Sequence, residues 1–199
     1  MRRLNHAFHV IALLGIFVSC AGATQQPATR VNADAAALHE FKQRVDAYVA
    51  LHKQAAGKTA APKETTDTAK IQAARDTLAA AIQSMRKDAK PGDVFTPAVR
   101  GRLRKLINPE FKGKDSVETK EIMSEDAATG IPIKVNAKYP ASATVTTMPP
   151  NVLKQLPVLP EGLEYRIVGS TLLLRDVDAN LIVDYMTNAI PSAIKKSDH

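Results

Sequence analysis

Apolar positions in the first half of the chain recur at helical spacing. From Asp34 to His52, Leu38, Phe41, Val45, Tyr48 and Val49 follow at three- and four-residue steps, with Val49 beside Tyr48. At about 100° per residue they share one stripe, which predicts an amphipathic helix. Glu40 with Arg44, and Lys42 with Asp46, stand four apart on its other side, where opposite charges form a solvated face. Lys53 to Thr68 holds Gly57 and Pro62 among Thr, Lys and Ala, and reads as a connecting loop. Between Ala69 and Met85, Ile71, Ala74, Leu78, Ala81, Ile82 and Met85 form a second stripe of the same width. Two matching stripes predict an antiparallel helical hairpin. Thr96 as N-cap and Pro97 at the first helical position open a third helix to about Ile107, with Val99, Leu103, Leu106 and Ile107 inward. Asn108-Pro109 stops it. Asp115 with Glu118 three residues on suggests a capping box for a fourth helix, which ends before Gly130.

Past Gly130 the period changes to two. Ile131, Ile133, Val135, Ala137 and Tyr139 alternate with Lys134, Asn136 and Lys138, which predicts a half-buried strand. Prolines 140, 149, 150, 157 and 160 exclude a long helix or a central strand there, leaving room for a helical turn near Asn151 to Gln155. Leu163 to Val168, Thr171 to Arg175 and Leu181 to Met186 are β-prone runs parted by Gly169-Ser170 and by Asp176 to Asn180, the pattern of an antiparallel meander. Helices followed by strands indicate the α+β class: a hairpin, two shorter helices and a small sheet.

The amino terminus has a different character. Arg2 and Arg3 precede an apolar run from Ala7 to Val18 and then small residues, the layout of a secretory signal. That run is too short to cross a hydrocarbon core, which needs roughly 20 residues, and no later segment is greasier. No transmembrane helix is predicted. Two processing readings stand side by side. Ala21-Gly22-Ala23 fits a signal peptidase, whereas Phe17-Val18-Ser19-Cys20 resembles a bacterial lipobox that would lipidate Cys20. The expected organisation is a signal over 1–23, a flexible linker over 24–33, a helical region over 34–128 and a Pro-rich connector with the β region over 129–199. The protein is then periplasmic or secreted, or held to a membrane by a lipid.

Composition removes several classes of function. The chain has 199 residues and a single Cys, so no internal disulfide forms. Trp is absent and aromatics are 5% of residues, too few for a sugar-stacking or single-strand nucleic-acid platform. Past the signal only His39, His52 and His199 remain, too few and too scattered for a zinc site of familiar spacing, so neither metal nor cofactor is expected. Ser84, Ser116, Ser124 and Ser142 lack the Gly-x-Ser-x-Gly setting of an exposed nucleophile. Asp176-x-Asp178-x-Asn180 opens like a calcium loop, but Leu181 and Thr187 stand where Gly and the bidentate Glu belong, so it reads as a turn. His52 lies near the apolar stripe with no carboxylate one turn away to orient it, which favours a packed histidine over a base. Glu161 with Glu164, or Asp176 with Asp184, are the pairs a carboxylate hydrolase would draw on.

Charge supplies the remaining signal. The net charge is +7, and between Arg86 and Lys114 nine Lys or Arg stand against three acids. Arg100, Arg102, Arg104 and Lys105 occupy one helix with no acidic neighbour on it, a candidate docking face for an anionic envelope surface or an acidic envelope protein. Nucleic acid attracts such a face too, but export removes that partner.

Leu159-Pro160-Glu161-Gly162-Leu163-Glu164-Tyr165-Arg166-Ile167-Val168-Gly169, then Leu172-Leu173-Leu174-Arg175-Asp176 and Asn180-Leu181-Ile182-Val183-Asp184, resemble the ending of a family of exported bacterial proteins of unknown function. Its members join a signal peptide, a helical half with a phrase similar to Gly92-Asp93-Val94-Phe95-Thr96-Pro97, a Pro-rich middle and a strand-rich tail. The resemblance implies compartment and architecture and carries over no catalytic residue. The shorter Tyr165-Arg166-Ile167-Val168-Gly169 is also similar to the tail of small periplasmic proteins linked to nickel and cobalt homeostasis. The expected function is therefore an exported, non-enzymatic binding module, with a periplasmic hydrolase or a metal-homeostasis protein as alternatives.

Overall fold

The computed structural model describes residues 32–59, 65–112, 133–139 and 148–191. The export signal with Cys20, the fourth helix expected from Asp115 and the first part of the Pro-rich stretch lie outside them. Helix α1 (Ala33–Lys58) starts at Asn32, whose side-chain oxygen accepts the N–H groups of Asp34 and Ala35. Its buried line is Ala37, Phe41, Val45, Tyr48 and Ala55. The loop expected from Lys53 starts later. Ala55 is fully buried in the same apolar cluster as Ala79 and Ile82, and that burial carries the helix on through Gly57 to Lys58.

Helix α2 (Thr68–Met85) is capped by Asp67. Its stripe is narrower than the sequence suggests: Ala79 and Ile82 are buried, Leu78, Ala81 and Met85 only partly so, and Ile71 lies exposed. The buried part of α2 is its second half, at Ala79 and Ile82, and its first turns fall outside it. Ile82→Ala should therefore cost about 2 to 5 kcal/mol, and half-buried Leu78→Ala less, in urea denaturation. Equal losses would contradict this burial. After α2 the chain returns along α1. Arg86 lies over the Tyr48 ring, 5.0 Å from its centroid, and Thr96 donates to Glu40 two turns nearer the start of α1.

Helix α3 (Pro97–Ile107) has Thr96 as N-cap and buries Val99, Leu103 and Ile107, as its spacing predicts. A 3-10 turn, Asn108–Phe111, follows and buries Phe111. The short α4 (Pro150–Gln155) buries Val152.

Strands β1 (Leu163–Val168), β2 (Thr171–Asp176) and β3 (Leu181–Met186) form an antiparallel sheet in the order β1-β2-β3. This completes the α+β architecture. Tyr165, Ile167, Leu172, Leu174, Leu181 and Val183 pack toward the helices, where Phe41 stacks on Phe95 and Tyr165 at centroid distances of 5.9 and 6.5 Å. The register between β2 and β3 shifts between Leu174 and Arg175: Leu174 faces Asp184 while Arg175 faces Ile182. Val183 is thus the extra residue of a bulge, and a bulge re-aims the side chains beyond it. Alternation alone would put Asp184 on the face opposite Val183. The bulge turns it toward the helices.

The strand expected from Ile131 to Tyr139 does not extend as one. Over 133–139 the chain turns at Asn136, whose φ is 63°, and makes a single bridge, Lys138 to Leu181. Asn136 is drawn inward: Arg86 donates to its side-chain oxygen at 2.9 Å and its side-chain amide donates back to the Arg86 carbonyl at 2.7 Å. Ile133 and Tyr139 still use their apolar spacing, packing with Leu173 and Ile182 on the far face of the sheet. The segment also covers the open edge of β3, with Ile182 N–H bonding the Ala137 carbonyl.

Candidate functional site

Asp176 and Asp184 both face the helices and both are fully buried. A buried carboxylate is costly unless donors saturate it. Asp184 accepts the backbone N–H groups of Gly92, Val94 and Phe95 at 2.9, 2.8 and 2.7 Å, and that of Tyr185 at 2.8 Å. Gly92 has a φ of 98°, and a Cβ there would lie 3.1 Å from Arg100 Nη2, so the loop needs this glycine. Asp184 is a peg that fixes the loop between α2 and α3.

Asp176 is different because one of its partners can act on a ligand. Its Oδ2 accepts the Tyr48 hydroxyl at 2.7 Å and meets His52 Nδ1 at 2.6 Å, while Oδ1 accepts the Ala179 N–H at 2.8 Å. A carboxylate only accepts, so Nδ1 carries a proton toward Asp176, and in the neutral ring Nε2 presents a lone pair. Nε2 points to the side of Asp178, whose Oδ2 lies 4.0 Å away. Beside it opens a cleft of about 520 Å³. Val49, His52, Lys53 and Ala56 of α1 form one wall, and Pro160, Glu161, Gly162 and Leu163 at the entry to β1 form the other. Gly162 has a φ of 83°, and a Cβ there would come within 3.3 Å of Asp178 Oδ2, so glycine also keeps this carboxylate in place.

Burial pushes the Tyr48 phenol far above its ordinary value, and the charge and hydrogen bond of Asp176 push the same way. Tyr48 is therefore a fixed donor and takes no part in proton transfer at neutral pH. Burial raises Tyr165 as well. An unfolded phenol ionises near pH 10, so the stabilisation these two groups confer is complete below about pH 10 and is lost as pH rises toward the folded values. Unfolding free energy should fall by about 1.4 kcal/mol per pH unit for each phenol above that point. Tyr48→Phe should remove one such share of the slope. An unchanged slope in alkaline titrations of that variant would contradict the buried contact.

The sequence-derived candidates are spread over the fold. The helix carrying Arg100, Arg102, Arg104 and Lys105 has an acidic partner after all, brought by the fold from the start of α1. Asp34 bonds Arg102 Nη1 and Lys105 Nζ, each at 3.0 Å. The Lys105 hydrogen bond, against an opposing burial effect and helped by the charges of Lys105 and Arg102, holds the Asp34 carboxyl below its usual value. Arg100 Nε donates to the Phe95 carbonyl at 2.6 Å, and Arg104 to the carbonyls of Thr187 and Asn188 at 2.9 Å. All four side chains tie α3 to its surroundings.

Asp176 and Asp184 are each consumed by their own donors. Glu164 binds Arg166 and Arg175; burial raises its carboxyl, but the hydrogen bonds and charges of the two arginines together keep it low, while Glu161 lines the cleft. The Asp176 to Asn180 segment is a turn whose oxygens diverge: Asn180 accepts from Arg175 and Asp176 from Ala179. Among the described residues no group of three His, Cys, Asp or Glu side chains is placed to hold a metal ion, and no helix is long and apolar enough to cross a membrane.

The carboxylate that orients His52 comes from β2 and not from α1, so local spacing misses it. A signal was nonetheless present, since Asp176 takes the core-facing position after Leu172 and Leu174. Compared with protein-family models, with curated proteins and with solved structures, the chain matches none.

Proposed function

We propose that this chain is an exported cell-envelope protein that acts as a non-enzymatic binding module, with its ligand in the cleft beside His52. Export rests on the opening residues, where Arg2 and Arg3, the apolar run and the small residues follow one another. Binding rests on one observation: His52 Nε2, Lys53 and Glu161 face the cleft with no hydrogen-bond partner among the described residues, whereas the buried Asp176 behind the imidazole is saturated. Groups left open at a concave surface are the ones a ligand can satisfy. The four cations of α3 are occupied with the protein itself, which moves the first contact from that helix to the cleft.

The second reading, a hydrolase, has the Asp176 to His52 contact in its favour, since an imidazole oriented by a carboxylate is the usual form of a general base. What it lacks is a serine, threonine or cysteine nucleophile among the described residues that line the cleft. One comparison separates the two. Small amines, acids, sugars and short peptides should include compounds that raise the melting midpoint of the purified full chain but not that of Ala56→Trp, which fills the cleft. A panel that stabilises nothing, or turnover of chromogenic esters that vanishes in His52→Ala, would overturn the binding reading.

A further inference from the structure

The chemistry of the cleft selects the charge of its ligand. We propose that the cleft takes a cationic amine, a primary ammonium or a guanidinium on a short aliphatic stem, with its N–H groups shared between His52 Nε2 and Asp178. This deepens the binding reading and rests on it.

The imidazole is the first reason. Asp176 accepts on both oxygens and holds a proton on Nδ1, so the neutral ring meets the cleft with Nε2 as an acceptor. The second acceptor, Asp178 Oδ2, stands 4.0 Å from it, too far for a hydrogen bond between the two. A single nitrogen can lie about 2.9 Å from each and donate to both. An acceptor-only ligand group such as a carboxylate or phosphate finds no donor at this point and is repelled by Asp178.

Charge and shape agree. The mouth carries the carboxylates of Asp178 and Glu161 against the single ammonium of Lys53, with the buried Asp176 behind the imidazole, in a chain whose overall charge is +7. Ala56 lies in the last turn of α1, where the helix carboxyl end bears partial negative charge that favours cations. Val49, Ala56, Pro160 and Leu163 give the rest of the cleft an apolar lining suited to a methylene stem.

The test titrates four probes of similar length into the full chain: agmatine, cadaverine, valerate and pentanol. His52 ring resonances and the melting midpoint are followed together. Agmatine and cadaverine should shift the His52 resonances along saturating curves and raise the midpoint, with valerate and pentanol inert. Asp178→Asn changes a largely exposed side chain and should leave the fold intact while weakening the amines about tenfold or more. If valerate saturates and the amines do not, or pentanol binds as well as agmatine, the amine assignment is wrong while the cleft remains a binding site. If Asp178→Asn binds the amines as before, the proposed contact is wrong. If no probe of any charge moves His52, this assignment fails; the binding reading falls separately, if the broader compound panel also stabilises nothing.

Discussion

Asp184→Ala is expected to cost about 3 to 5 kcal/mol of folding stability, among the largest losses any single substitution in this chain should produce. The carboxylate gathers N–H groups from Gly92, Val94, Phe95 and Tyr185, and those of Val94 and Phe95 are buried with it. Removing it strands donors that water cannot reach, at about 1 to 3 kcal/mol for each unsatisfied group. The damage should spread, because this loop sets the start of α3 and places Phe95 against Phe41. Asp184→Asn keeps one acceptor oxygen and should lose less. Urea denaturation of both variants checks this, and a loss below about 1 kcal/mol for Asp184→Ala would mean that other acceptors replace the carboxylate.

The second large effect is expected at Asp176. Asp176→Ala leaves the Tyr48 hydroxyl and the Ala179 N–H without their buried acceptor and unties the C-terminal half of α1 from the sheet. A loss of about 3 kcal/mol or more should follow. Tyr48→Phe removes only one donor and should cost about 1 to 2 kcal/mol at neutral pH. The two sites also differ in their effect on binding. Asp184→Ala weakens the fold but leaves the orientation of His52 alone, whereas Asp176→Ala or Asp176→Asn removes the group that fixes its proton, so any ligand of the cleft should suffer at Asp176 beyond what stability explains. Comparable ligand affinity in folded Asp176→Asn and in the unsubstituted chain would separate His52 from the site.

Local rules made much of this architecture legible. Periodicity found α1 and α2, the Thr96-Pro97 pair set the start of α3, and glycine and Asp-rich breaks divided the three strands. These features depend on neighbours within a few residues. Where the reading failed, the deciding partner lay far along the chain. The helix expected to stop at His52 continues because Ala55 is buried in the cluster that also holds Ala79 and Ile82. The strand expected through Asn136 turns there because Arg86 holds that side chain from α2's end. The basic helix looked unpaired because Asp34, its partner, is 68 residues from Arg102.

The candidate site was harder to read for the same reason. His52 and Asp176 are separated by 124 residues, and a spacing rule sees only one of them at a time. The residues that betray the contact are those that break a pattern: an acid after Leu172 and Leu174 on the core-facing side of β2, and a histidine at the edge of an apolar helical stripe. A polar group in each of two apolar faces implies that the faces meet there, because burial demands a partner. Asp184 breaks the pattern of β3 in the same way, but its aim depends on the bulge at Val183, which alternation does not foresee.

The account turns on the state of one ring. Nitrogen-15 correlation spectra of the His52 side chain, recorded at a pH where the imidazole is neutral, report directly which nitrogen carries the proton. The structure predicts a protonated Nδ1 shielded from exchange by Asp176 and a bare Nε2, with that preference lost in Asp176→Asn. A proton on Nε2 with a bare Nδ1 would contradict it, and with it the acceptor on which the cleft's proposed chemistry depends.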